Sequence, residues 1–373
     1  MSKADDQFLD LVATVYDAAL ATELWPQVAA DAGRALNSSQ VMLGVTDRSG
    51  REVTRASSDE WGERLDLSSY TTPESNPGVA FAALTPPMTV GLTERMVSDR
   101  DLERSEFYQT LMRPLGLWRA AIVNVHRDES VLAPMGFLRT RKERPFGERE
   151  LLDLRRLAPH LNRALRVSLR LRELETRAES CAQMADRALV ALVLTDATGR
   201  IAETNGLARA ILAERDGLVI RDGVLRVARN EEGAELARLI REAAGSRVMP
   251  MSGVMRVSRP SLRRPLPLVV APTRNAASPF GRSHAVCVSF ADPERAPEAD
   301  TELLVRLYGF TAREAAVAAL LLRGRSPAEA AAELAMTENT VRTHIRHAFE
   351  KTGVERLSDF VRLLMQGPGV RAR

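Results

Sequence analysis

Three helix starts follow one another in the last quarter of the chain, and their spacing constrains the fold more than any other feature. In the first two, a Ser or Thr side chain and a Glu three residues later can each accept a hydrogen bond from the other's backbone N–H, which is a capping box. These pairs are Thr311 with Glu314 and Ser326 with Glu329. Thr337 is the predicted cap of the third helix. The four predicted helices span about 311–323, 326–334, 337–352 and 358–365.

The third of these helices carries the residues that indicate a function. Apolar residues recur on one face at helical spacing and predict a core face of Val341, Ile345, Ala348 and Phe349. An α-helix fits the major groove of DNA, where arginine can read guanine and asparagine can read adenine. The candidate base-contact residues on the opposite face are Asn339, Arg342, Thr343 and Arg346. The candidate phosphate-contact residues are Ser326, Thr337, Thr340, Lys351 and Arg356.

At these residues, segment 307–366 resembles the LuxR-type DNA-binding domain. The resemblance is carried by Thr311, Arg313, Glu314, Gly324, Leu334, Thr340, Val341, Arg342, His344, Lys351, Val354 and Arg356. It implies that Arg342, Thr343 and Arg346 occupy base-reading positions. It also implies a dimer surface on the fourth helix, at Phe360, Val361 and Leu364. The alternative is a small helical bundle that serves only protein contact.

The second helix departs from the family pattern. It begins Pro-Ala-Glu-Ala-Ala at residues 327–331, where the family commonly has asparagine and lysine. The departure removes an expected phosphate contact, so we expect a lower sequence-independent affinity for DNA.

Charge and size indicate that this DNA-binding segment is part of a larger protein. The 373 residues predict two to four domains, at roughly 100–200 residues each. Residues 301–373 hold 11 Lys or Arg against 8 Asp or Glu, which accounts for the net charge of +3. The other residues are close to neutral together. A modest local positive charge fits contact with phosphates and excludes a polycation that coats nucleic acid indiscriminately.

Cysteine use and hydropathy predict a cytoplasmic protein. Cys181 and Cys287 cannot build a disulfide framework, and neither has a CxxC partner for a structural zinc site. The amino-terminal residues are too polar for a signal peptide. No apolar run reaches the roughly 18 residues that a membrane span needs. We therefore expect a cytoplasmic location, no membrane contact and no metal.

Two α+β modules are predicted on the N-terminal side of the DNA-binding segment. Residues 1–165 combine a helix over 7–30 with strands near 41–45, 118–125 and 134–140, and 7–165 resemble a GAF-type sensor that ends in a helix such as 157–164. Residues 189–290 form the second module, with a hairpin signal at 218–227. Its stretch 193–205 resembles the start of a PAS domain. Residues 291–301 are rich in proline and charge and are predicted to be a linker before the domain at 302–366.

A long helix over 148–188 is predicted to connect the modules. Its apolar positions recur in steps of three and four at Ala164, Val167, Leu171, Leu174, Ala178, Cys181 and Ala185. A seven-residue repeat indicates the seam of a coiled coil, so Leu171 and Leu174 are candidate dimer contacts. The alternative is one long helix packed on its own domain.

Aromatic residues in the first module are candidates for a ligand pocket. They are Trp61, Tyr70, Phe81, Tyr108 and Trp118. Core packing is the competing interpretation for most of them. An acyl-homoserine-lactone site would also need an acidic residue for the amide, and none is obviously placed. No histidine is placed as a haem ligand, and Cys181 lies in mid-helix without basic activation, so we predict no cofactor.

The fold class we predict is multidomain: α+β sensor modules of GAF-like and PAS-like type, joined by a long helix to an all-α, four-helix domain of LuxR-type helix-turn-helix. The leading interpretation is a dimeric transcription regulator that binds double-stranded DNA and responds to an unknown small molecule or other signal. The alternatives are a ligand-independent adaptor that contacts RNA polymerase and an acyl-homoserine-lactone-responsive regulator. An enzyme is disfavoured because the chain has no GxSxG, P-loop or HExxH motif.

Overall fold

The computed structural model describes residues 3–47, 49, 51–59, 68–245, 253–273, 286–295, 298–367 and 370–371. The chain divides into two compact units, residues 1–176 and 177–373. The first contains a five-stranded sheet, and the second contains another five-stranded sheet and a group of C-terminal helices. The predicted fold class, with α+β modules, a long helix and an all-α C-terminal domain, is confirmed.

The first unit is an antiparallel sheet with helices on it. Its elements are α1 (Lys3–Leu20), α2 (Trp25–Ala35), β1 (Gln40–Asp47), β2 (Glu52–Ser57), α3 (Pro77–Leu84), β3 (Val90–Leu92), α4 (Asp99–Arg104), β4 (Leu117–Arg127), β5 (Val131–Thr140) and α5 (Glu148–Arg187). The strand order is β2-β1-β5-β4-β3. The single helix predicted over 7–30 is instead two helices, because Ala21 is extended and Pro26 starts a new helix in its first turn.

One face of this sheet forms the core of the unit. Side chains alternate along each strand, so Val41 and Leu43 of β1 and Phe137 of β5 point to the same side. There they pack with residues of α1, α2 and α5, including Leu154 and Leu161, which are fully buried. The opposite face of the sheet is left for the segment between β2 and β4 to cover.

The second unit begins with a module of similar design. Its elements are β6 (Ala191–Thr195), β7 (Ile201–Thr204), α6 (Gly206–Ala213), β8 (Leu218–Arg221), β9 (Val224–Val227), α7 (Asn230–Gly245), β10 (Gly253–Val257), β11 (Leu266–Pro272) and β12 (Val286–Phe290). The sheet order is β10-β11-β12-β6-β7. Numbered within each module, with the β8–β9 hairpin left out, both sheets read 2-1-5-4-3. The predicted hairpin turn has positive φ at Asp222 and Gly223, the geometry that matches the twist of the strands.

Helix α5 is buried at its start and exposed further along. Leu151, Leu165 and Ser168 are buried in the first unit, where Trp25 Nε1 donates to Ser168 Oγ at 3.2 Å. Residues 172–181 are exposed on every side of the helix. Near its end, the Asp186 carboxylate accepts hydrogen bonds from the first two backbone N–H groups of α6. No helix in the described parts of the chain is long and apolar enough to cross a membrane.

The C-terminal domain contains the four predicted helices and one more in front of them. Its elements are β13 (Glu298–Ala299), α8 (Thr301–Tyr308), α9 (Ala312–Leu322), α10 (Pro327–Glu333), α11 (Glu338–Thr352), α12 (Leu357–Gln366) and β14 (Val370–Arg371). Asp300 caps α8 by accepting from the backbone N–H of Leu303 at 3.0 Å. β13 pairs with β14, so the range that we assigned to a linker, 291–301, contains a short strand and a helix cap.

Candidate functional site

The helix-turn-helix is built on its predicted caps. Both capping boxes are present, with Thr311 and Glu314 starting α9 and Ser326 and Glu329 starting α10. Thr337 accepts from the backbone N–H of Thr340 at 3.2 Å and starts α11. The ends of α10 and α11 are fixed by left-handed backbone, at Ala335 and Gly353.

Packing decides which face of α11 points outward. Val341 and Ala348 are fully buried in the core of the domain, and Ile345 and Phe349 pack partly against it. At about 100° per residue, Asn339, Arg342, Thr343 and Arg346 lie within an arc of about 100° on the other side. The Arg342 and Arg346 side chains are 64% and 70% exposed. All four predicted base-contact residues therefore share one outward face.

Two glutamates pair with the arginines of this face. Glu338 Oε1 lies 2.7 Å from Arg342 Nη2, and Glu350 Oε1 lies 3.9 Å from Arg346 Nε. Exposed pairs of this kind contribute about 0.3–0.5 kcal/mol. Either guanidinium can therefore exchange its glutamate for a guanine edge or a phosphate at little cost.

The predicted phosphate contacts are only partly free for that role. Ser326, Thr337, Thr340 and Arg356 are exposed. The Ser326 hydroxyl is engaged by Glu329, and the Thr337 and Thr340 hydroxyls lie 2.7 Å from each other. Backbone N–H groups at these two helix starts remain the better donors to a phosphate.

Lys351 is exposed but is already engaged within the domain. We predicted a phosphate anchor, but its Nζ lies 2.6 Å from Glu314 Oε2 and 2.9 Å from the Gly309 carbonyl oxygen. Burial raises the pKa of Glu314, yet the hydrogen bonds from Lys351 and Thr311 outweigh it and lower the pKa overall. The lysine thus holds the end of α11 to the start of α9.

Two of the three dimer contacts predicted on α12 are buried. Phe360 and Leu364 are 0% exposed and belong to the core of the domain, so neither can lie on a dimer surface. Val361 is half-buried. The exposed apolar residues of α12 are Leu357 and Met365. The two contacts predicted on α5 are accessible: Leu171 is half-buried and Leu174 is exposed.

The face of the first sheet that does not pack on the core lines a cavity of about 130 Å³. The strands contribute Gln40, Met42, Gly44, Thr46, Glu52, Arg55, Leu117, Ala120, Ile122, Pro134, Gly136 and Leu138. The covering segment contributes Tyr70, Thr71, Asn76, Pro77, Gly78, Val79, Thr93, Leu102, Phe107, Leu111, Met112 and Leu115. Most of the lining is apolar.

Of the predicted pocket aromatics that the structure describes, only one lines this cavity. Tyr70 does, and Trp61 lies outside the described residues. Tyr108 and Trp118 pack edge to face, with their ring centroids 5.4 Å apart, in a small cluster that shares Leu102, Met112 and Leu117 with the cavity wall. Neither of these two rings lines the cavity, and Phe81 does not line it either. Core packing accounts for Tyr108 and Trp118. The alternation of β1, which places Met42, Gly44 and Thr46 on one face, is the signal that sequence reasoning missed.

The remaining titratable residues show no further site. Among the described residues, no group of three or more His, Cys, Asp or Glu side chains is placed to hold a metal ion. Cys181 is exposed on α5, and burial raises the pKa of the half-buried Cys287 thiol. His160 Nδ1 lies 3.1 Å from the Tyr16 hydroxyl, and His126 Nε2 lies 3.0 Å from Asp128.

Several solved structures are similar to this chain, but weakly. A phage VqmA–DPO complex is 18% identical, with 51% of this chain and 89% of that chain covered and a TM-score of 0.23. The VqsR LBD domain from Pseudomonas aeruginosa is 16% identical, with 45% and 98% covered and a TM-score of 0.34. A VqmA–ligand–DNA complex from Vibrio cholera is 17% identical, with 47% and 80% covered and a TM-score of 0.21. Because these TM-scores are low, the fold and function of this chain are argued from its own residues and not from these structures.

A family model matches the part of the chain that carries the outward face of α11. No curated protein matches the chain. The model that describes bacterial regulatory proteins of the luxR family matches residues 309–364, which span α9 to α12 and both capping boxes. Residues 309–364 are therefore a LuxR-type helix-turn-helix domain, of a family of DNA-binding regulators.

Proposed function

We propose that this protein is a sequence-specific, DNA-binding transcription regulator of the cytoplasm. In this proposal it acts as a homodimer, contacts RNA polymerase when bound, and is controlled by a signal sensed in its first module. The observation that carries the proposal is the outward face of α11, where two arginines, an asparagine and a threonine lie side by side and opposite the buried core face.

The chemistry of this face suits base recognition. Arg342 and Arg346 are one helical turn apart, and each guanidinium can bind O6 and N7 of a guanine with two hydrogen bonds. Asn339 lies one turn before Thr343 and can bind N6 and N7 of an adenine in the same way. Exposed backbone N–H groups at the starts of α10 and α11 supply phosphate contacts that fix the helix in the groove.

The test is binding of the purified full chain to DNA upstream of its own and neighbouring genes, across a salt series. We expect saturable, sequence-dependent binding that weakens steeply with salt. Arg342→Ala and Arg346→Ala should each cost about 1–3 kcal/mol and relax the base preference at one position. Arg362→Ala is the matched control, since this arginine is equally exposed and ion-paired but lies on α12.

One observation favours a second candidate, an adaptor that contacts RNA polymerase without reading DNA. Glutamates accompany both arginines of the face, and Glu329 and Glu333 lie on the neighbouring helix α10. Negative charge repels phosphates but suits contact with a basic protein surface. If specific DNA binding survives the Arg342→Ala, Arg346→Ala double substitution, the outward face of α11 does not read bases. Polymerase binding without DNA binding would support the adaptor.

A further inference from the structure

Two glycines, which have no side chain, leave space along the wall of the cavity in the first module. Gly44 of β1 and Gly136 of β5 both lie on its sheet wall. A Cβ added at Gly44 would meet no atom within 4 Å. Met42 and Ile122 flank Gly136 on the neighbouring strands. A Cβ at position 44 would therefore occupy part of this space without a clash, so the glycine leaves it open.

One polar group of the wall is left without a partner. Thr46 is 4% exposed, and its hydroxyl oxygen has no hydrogen-bond partner among the described residues. A buried hydroxyl without a hydrogen bond is unfavourable, because it has lost its hydrogen bonds to water. By contrast, the other polar side chains of the wall have partners: Gln40 donates to Ser57 at 2.7 Å, and the Asn76 side chain donates to the Tyr70 carbonyl oxygen at 3.0 Å.

The charged residues of the wall neutralise each other. Glu52 Oε1 lies 3.5 Å from Arg55 Nε, and both side chains are at least two-thirds buried. Their pairing leaves no net charge among the described residues of the lining. An ionic ligand would therefore lose its hydration without gaining an unpaired counter-charge, which is costly in an apolar site.

The volume limits the size of the occupant. At about 130 Å³, the cavity is close to the roughly 150 Å³ of an engineered apolar cavity that accommodates benzene. A lactone with a long acyl chain exceeds this space.

We propose that the cavity binds a small, uncharged, mainly apolar molecule of about one aromatic ring in size, which carries one hydrogen-bonding group for Thr46. The proposal rests on the proposed function, in which this ligand is the signal that the first module senses. It adds the chemical class of the ligand and the residue that selects it.

Three ring compounds of nearly equal size test this class: phenol, toluene and benzoate, titrated calorimetrically into the full chain at pH 7. N-hexanoyl homoserine lactone is the larger comparator. We expect phenol to bind about threefold to tenfold more tightly than toluene, the effect of one hydrogen bond to Thr46. Benzoate and the lactone should bind more weakly than both.

Two substitutions locate the binding. Thr46→Val keeps the shape and removes the hydroxyl, so phenol should weaken to the affinity of toluene while toluene is unchanged. Gly44→Val fills the cavity and should weaken both compounds at least about tenfold. Thr195→Val is the matched control, because this buried threonine of β6 also has an unpartnered hydroxyl but lies in the second module.

The outcomes separate this inference from the proposed function. DNA binding of each variant, measured without any ring compound, reports on the helix-turn-helix and on folding, and we expect it to be unchanged. Benzoate or the lactone binding as tightly as phenol, phenol binding that survives Gly44→Val, or no binding of any compound would each overturn the inference. Phenol binding with the expected pattern but without DNA binding would leave the inference standing and refute the regulator.

Discussion

At the scale of single residues, Glu314 joins two parts of the DNA-binding domain. It is 4% exposed, it completes the capping box of α9, and it accepts a hydrogen bond from Lys351 near the end of α11. His347 of α11 lies 3.8 Å away, at Nδ1. The carboxylate therefore helps fix the angle at which α11, with its outward face, is held.

We predict that Glu314→Gln destabilises this domain by about 1–3 kcal/mol at pH 7, since it removes a charged acceptor from a buried site. The pKa of Glu314 is lowered in the folded protein. Its contribution is therefore present above its ordinary pKa of 4.5 and is lost as the pH falls through the lower folded value. The difference between variant and parent should shrink as the pH falls below about 4.5.

Hydrogen exchange of the backbone amides, read by mass spectrometry in the full chain, measures this effect for residues 309–364 alone. Glu329→Gln is the control, because Glu329 is the equivalent capping residue of α10 but is exposed and bonds only within its own helix start. Faster exchange confined to the first turn of α10 is expected there. Equal effects of the two substitutions would show that the contact with Lys351 contributes nothing beyond the cap.

At the scale of elements, the exposed part of α5 has the pattern of a parallel coiled coil. Leu171 is half-buried, and Leu174, Ala178 and Cys181 continue the seven-residue repeat where the helix is exposed on every side. A helix that packs on nothing over this length gains little stability by itself. A second copy of the chain would cover the apolar seam, and this is the dimer contact that we propose on α5.

Charges beside the seam favour a parallel pair. Arg170 and Glu175 occupy the two positions that flank the core, and in a parallel pair Arg170 of one copy meets Glu175 of the other. An antiparallel pair would instead place arginines opposite arginines at the positions of Arg170 and Arg177. The present pairing of Arg170 with Glu173 is exposed and can be exchanged at little cost.

We predict that oxidation with copper phenanthroline links two chains through Cys181 in a Cys287→Ser background. In a parallel, in-register pair, the two Cys181 residues face each other within the separation that a disulfide spans. Non-reducing electrophoresis measures the covalent dimer. For the control, Cys181→Ser is combined with Glu179→Cys, which moves the thiol to the outer face and should give no dimer. Crosslinking at both positions would indicate random collision.

Elements with local signals were predictable from the sequence, and those without were not. The helix that we predicted over 326–334 is Pro327–Glu333, because its cap, its proline and its end are all set by neighbouring residues. β3 was missed because it is only three residues long, Val90–Leu92. The alternation of β1 encodes only its own part of the cavity wall. The burial of Phe360 and the rest of the cavity wall depend on contacts between residues far apart in the chain, and no local pattern encodes them.

At the scale of the whole molecule, α5 is fixed at both ends to folded modules. Its first half is buried in the core of the first unit, which also builds the wall of the cavity. At its other end, Asp186 holds the N-terminus of α6 in the second module. Because α5 is one helix that begins in the first unit and ends in the second, we propose it as the route of the signal.

We predict that signal control of DNA binding depends on the helical phase of α5 between residues 176 and 177. Inserting seven helix-forming residues there returns the helix to nearly the same face and preserves the repeat, whereas inserting five rotates everything beyond it by about 140°. The seven-residue variant should therefore keep any change in DNA affinity that phenol causes in the parent protein, and the five-residue variant should lose it.

Titration of operator DNA with and without phenol measures both. The change caused by phenol is expressed relative to the basal DNA affinity of each variant, because five inserted residues also interrupt the seven-residue repeat of the proposed dimer contact. If both variants keep the response, the signal does not pass through rotation of α5. A flexible connection would work equally well in either helical phase.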